Sequence, residues 1–94
     1  MPFDGRVRSF TLQDLELLPV GRMGVFGLFR QGQWIYIGSG DIRSHLLALY
    51  HGEKKNVLAE KPTHYITENA QNYEAREKQL LREIHPICNE LVSG

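Results

Sequence analysis

The chain has 94 residues, enough for one domain with a single modest core. Eleven lysines and arginines balance eleven aspartates and glutamates, so net charge points to neither nucleic acid nor a membrane surface. The lone cysteine, Cys88, excludes an internal disulfide and a multi-cysteine zinc site. No apolar run approaches the ~20 residues of a membrane span or the core of a signal peptide. These totals predict a soluble, cytoplasmic protein forming one domain over residues 1–94.

From Phe3 to Phe10 the sequence alternates loosely, as a lead-in strand or an ordered arm would. Thr11 is placed to cap a short helix, with Asp14 three residues on and Phe10 and Leu15 in staple positions. Leu12, Leu15, Leu17 and Leu18 supply the apolar contacts of that helix, and Pro19 stops it.

Gly24 to Gly38 dominates the chain and reads as a β-hairpin. Val25, Phe26, Leu28 and Phe29 make the first strand, and Trp34, Ile35, Tyr36 and Ile37 the second. A three-residue loop, Arg30-Gln31-Gly32, needs its last residue in the left-handed conformation, which glycine adopts without a Cβ penalty. That register sets Phe26 opposite Tyr36 and Gly24 opposite Gly38. Alternation then puts Phe26, Leu28, Trp34 and Tyr36 on one face and Val25, Phe29, Ile35 and Ile37 on the other. Tyr36 is the one residue of the two runs with a titratable group.

Asp41 is a suitable N-cap for a second helix running to about His51 and ended by Gly52. Ile42, Leu46, Leu49 and Tyr50 form its buried stripe, with His45 and Arg43 on opposite flanks. Glu53 to Pro62 reads as a surface loop, His64 to Thr67 as a third strand, and Glu68 to Gln71 as a turn. Asn72 caps a last helix from Tyr73 to about His85, before Pro86. At ~100° per residue, Glu77 falls within the apolar stripe of Tyr73, Leu80, Leu81 and Ile84. A carboxylate there is paired, protonated, bound to a metal or open to a cleft, because burying it alone costs several kcal/mol. The hairpin, a third strand and the helices together predict a small α+β domain.

Gly24-Val25-Phe26, then Tyr36-Ile37-Gly38, then a helix, then Glu77 with Pro86 and Asn89 behind it, resembles the GIY-YIG nuclease superfamily. The layout is similar to the N-terminal domain of a bacterial excinuclease and to small stand-alone bacterial members, over about residues 18–89. The resemblance implies a three-stranded antiparallel sheet flanked by helices and hydrolysis of DNA phosphodiester bonds with one divalent metal; nicked and branched DNA are the substrates to test. It places the metal on Glu77 and water activation on Tyr36, and it makes Asn89 structural. A single carboxylate leaves most of the metal shell to water and phosphate, which suits Mg2+ or Mn2+. A free phenol has a pKa of ~10, so Tyr36 acts as a base only with help from the metal or a cation. A dimer or larger complex would enlarge so small a recognition surface.

Three positions depart from the family pattern. Phe26 lacks the hydroxyl of the first tripeptide's tyrosine, Ser39 stands where related domains often carry lysine, and the family's arginine falls on His45. Arg43 is separated from His45 by ~200° of helix rotation. His45 and Arg43 are the candidates for stabilising phosphate charge, histidine only when protonated. A domain that keeps this fold, has impaired catalysis and binds nucleic acid or a protein partner is the alternative.

Overall fold

The computed structural model describes Phe3 and residues 5–89. Its elements are β1 (Arg8–Ser9), α1 (Leu12–Glu16), β2 (Met23–Arg30), β3 (Gln33–Asp41), α2 (Ile42–Tyr50), α3 (Lys55–Ala59), β4 (His64–Asn69) and α4 (Tyr73–Ile84). The fold is α+β, with antiparallel strands in the order β1-β4-β2-β3. The sheet has four strands where three were expected. The extra one is the two-residue lead-in, Arg8 and Ser9, paired with Tyr65 and His64. Among the described residues no helix is long and apolar enough to cross a membrane.

The hairpin register differs from the expected one in two steps. Arg30 pairs with Gln33, so the loop is the two residues Gln31-Gly32, with Gly32 left-handed at φ +71°. One residue further in, Phe29 pairs with Trp34 but Leu28 pairs with Tyr36, which leaves Ile35 as the extra residue of a β-bulge. Phe26 therefore faces Gly38, and Gly24 faces Gly40. The bulge also exchanges two side chains between faces. Ile35 joins Phe26 and Leu28, while Trp34 packs beside Phe29, with ring centroids 4.7 Å apart.

Both faces are covered. On one, Phe26, Leu28 and Ile35 meet Leu15 of α1, Ile42, Leu46 and Leu49 of α2, and Val57 of α3. On the other, Val25, Ile37 and Ile66 meet Phe3 and Leu80 of α4. Fully burying one such side chain stabilises the fold by ~1.5–3 kcal/mol, which is why a chain of this length holds two thin layers over one sheet.

The caps explain where the helices begin. Thr11 Oγ1 accepts from the Asp14 backbone N–H at 3.3 Å, and Asp41 Oδ1 from that of Ser44 at 3.1 Å. Asn72 is in the cap position of α4 but makes no side-chain cap bond. Helix α1 ends at Glu16, short of Leu18, and Leu17 is 75% exposed instead of packed. The stretch expected as loop holds α3, which buries Val57, and β4 extends into the expected turn as far as Asn69, leaving Ala70 and Gln71 outside the strand.

Two features bear on the site. Gly52, at φ +97°, ends α2 in a Schellman motif: its N–H donates to Leu49 O at 3.1 Å and that of Glu53 to Ala48 O at 3.0 Å. The turn sends Glu53 and Lys54 back across the end of the helix. The tail after α4 runs along the free edge of β3. Ile87 and Cys88 donate to the carbonyls of Trp34 and Ile35, while Asn89 accepts from Ile37 N–H at 2.8 Å and donates to Ile37 C=O at 2.9 Å. Asn89 thus substitutes for a neighbouring strand.

Candidate active site

Strand β3 delivers side chains to both faces of the sheet at its outer edge. Tyr36 belongs to the face covered by α2, and Ser39, paired with Val25, to the face covered by α4. Around that edge opens a cavity of about 260 Å³ in which the two meet. Phe26, Gly38 and Leu49 form its apolar part, and Tyr36, Ser39, His45 and Glu77 reach it from β3, α2 and α4. The phenol and the carboxylate, 41 positions apart in sequence, therefore share one open space.

The floor depends on the register. Phe26 lies across from Gly38, and a Cβ at Gly38 would come 2.6 Å from the Phe26 ring, so the ring occupies the space of the missing side chain. The ring also stacks on the His45 imidazole, with centroids 6.0 Å apart and planes at 26°. His45 is otherwise exposed. Arg43, on the opposite flank of α2, does not line the cavity, and its buried Nε makes no hydrogen bond among the described residues. Of the two phosphate-stabilising candidates, only His45 is in place.

Glu77 is half-buried, and its Oε1 accepts a short hydrogen bond from the Ser39 hydroxyl. Among the described residues, no arginine or lysine pairs with it, and its second oxygen makes no hydrogen bond. The neighbouring basic residue of α4, Arg76, is instead engaged by Glu68 through two bonds of 2.7 and 3.0 Å. Ser39, visible in the sequence only as a substitution, thus orients the carboxylate.

Burial is the main cause that raises the pKa of the Tyr36 hydroxyl, followed by the negative charges of Glu77 and Glu53, with a further contribution from Cys88. Both carboxylates line the same cavity as the phenol. With its pKa raised in this way, Tyr36 remains a protonated hydrogen-bonding group.

Glu53 and Lys54, which the sequence places in a surface loop, also line the cavity. Their placement follows from the Schellman turn at Gly52 and from the start of α3, where Lys54 C=O accepts from Val57 N–H at 3.1 Å. The only sequence signal was the glycine ending α2. Cys88 is a small buried side chain, 4% exposed and with its thiol pKa raised by burial.

Among the described residues, no three histidine, cysteine or acidic side chains converge as a ready-made metal site. The donor set fits a hard divalent cation that keeps most of its waters: one oriented carboxylate with a free oxygen, a second carboxylate in the same cavity, and room for solvent. Comparison with models of known families, with curated proteins and with solved structures returns no match.

Proposed function

We propose that the chain is a metal-dependent DNA endonuclease of the GIY-YIG type, hydrolysing phosphodiester bonds at the edge of β3. One observation carries the reading: Tyr36 and an unpaired Glu77 oxygen open on the same cavity. Glu77 would hold Mg2+ or Mn2+. Such an ion supplies Lewis-acid stabilisation of phosphoryl charge and lowers the pKa of bound water.

The side chains divide the remaining work. The Ser39 hydroxyl fixes one Glu77 oxygen and leaves the other free to take a ligand. Tyr36, kept protonated by its surroundings, orients the attacking water, and its own proton is lost more readily once the charge of Glu77 is neutralised. Protonated His45, held against Phe26, donates to a non-bridging phosphate oxygen. Phe26 contributes shape alone, since it has no hydroxyl to offer.

The test is incubation with nicked, flapped and branched DNA in Mg2+ or Mn2+, beside a Glu77→Gln control. Cleavage by the parent and not by the variant is the expected result. Binding without cleavage across substrates and metals would instead indicate a fold-retaining domain that serves nucleic-acid binding.

A further inference from the structure

The cavity contains the side chains for water and metal chemistry, but the two cationic candidates read from the sequence leave it short of positive charge. Arg43 is outside, and His45 is charged only when protonated. Among the described residues, one lysine or arginine lines it, Lys54, delivered by the segment between α2 and α3.

That delivery is built into the backbone. The Schellman turn at Gly52 fixes where α2 stops, and two N–H groups of α3, from Val57 and Leu58, donate to the Lys54 carbonyl at 3.1 and 3.4 Å. Val57 is fully buried and anchors α3 against the sheet. The Lys54 side chain forms no ion pair among the described residues, although Glu53 and Glu77 line the same space. Lys55, one residue on, is exposed and does not line the cavity.

We infer that Lys54 is the phosphate-binding cation of this site and meets the backbone phosphate next to the bond that Tyr36 and Glu77 attack. The inference rests on the nuclease reading for its substrate class, a nucleic-acid phosphodiester. An ammonium on a flexible stem suits a point contact to a phosphate oxygen and takes the part for which a guanidinium is absent.

The experiment compares the parent, Lys54→Gln, Lys54→Arg and Lys55→Gln on a fluorescein-labelled flapped duplex. Binding is followed by anisotropy in EDTA over a series of salt concentrations, and cleavage is measured in Mg2+ or Mn2+. Losing one phosphate contact lowers the slope of log K against log salt by ~0.9. Losing a hydrogen bond to a charged group lowers kcat/KM by ~10- to 100-fold. Both losses are expected for Lys54→Gln, with recovery in Lys54→Arg and parent behaviour in Lys55→Gln. In the parent, the Lys54 side-chain NMR resonances should shift when the unlabelled duplex is added in EDTA, a readout that requires no variant to fold. Equal slopes and rates for Lys54→Gln and Lys55→Gln, or unmoved Lys54 resonances, overturn the assignment. A parent that cleaves nothing while Lys54→Gln still lowers the salt slope refutes the nuclease reading and leaves the lysine assignment standing.

Discussion

Replacing Asn89 by alanine removes both hydrogen bonds that close the edge of β3 beside the site. Ile37 is fully buried, and its outward N–H and C=O are satisfied by Asn89 at 2.8 and 2.9 Å. Two bonds at ~1 kcal/mol each set a lower figure of ~2 kcal/mol, and leaving the two backbone groups partly orphaned raises the loss to ~4 kcal/mol. For a domain of this size, ~1 kcal/mol shifts Tm by ~4–8 °C, so Asn89→Ala should melt roughly 8–30 °C below the parent. Thermal unfolding followed by circular dichroism measures this, and hydrogen exchange at the Ile37 amide reports the local effect. Asn89→Asp should recover little, because the acid accepts from Ile37 N–H but cannot donate to the carbonyl. A Tm within ~3 °C of the parent, with Ile37 still protected, would refute the idea that this side chain substitutes for a strand.

Two further outcomes follow from charge. Removing the carboxylate in Glu77→Gln, or that of Glu53, should lower the Tyr36 pKa, since both charges oppose phenolate formation; NMR titration of the Tyr36 ring carbons reads the change, and an unchanged value would contradict a shared cavity. Across the sheet, Asp14 accepts from Arg8 Nε at 2.6 Å and from the Tyr65 hydroxyl, and the Arg8 bond is the main cause that lowers its pKa. A depressed carboxylate contributes stability above its unfolded value of about 4 and loses it as pH falls through the folded value. Arg8→Met should therefore reduce the fall in stability below about pH 4, measured by urea unfolding at several pH values.

The elements that were legible are those whose ends carry chemistry. Thr11, Asp41 and Gly52 marked their helix boundaries because capping is local. The hairpin register was not legible, since Trp34-Ile35-Tyr36-Ile37 is apolar throughout and gives alternation no polar residue by which to reveal a bulge. Helix α3 was missed because one turn and a half with a single buried residue, Val57, is too short for a helical period to show. At the site, Glu77 was found because a carboxylate interrupted an apolar stripe, and Tyr36 through its place in the hairpin. The placement of Ser39 and Lys54 at the cavity could not be read from the chain alone. Their roles arise from tertiary neighbours, the α4 carboxylate for one and the Gly52 turn for the other.

The proposed chemistry depends most on a divalent ion resting on Glu77 beside Tyr36. Titrating 15N-labelled protein with substoichiometric Mn2+ and following paramagnetic broadening addresses it directly. The amides of Gly38, Ser39 and Glu77 should broaden first in the parent and stay sharp in Glu77→Gln. Broadening centred elsewhere, or equal in both proteins, would contradict a metal-assisted site in this cavity.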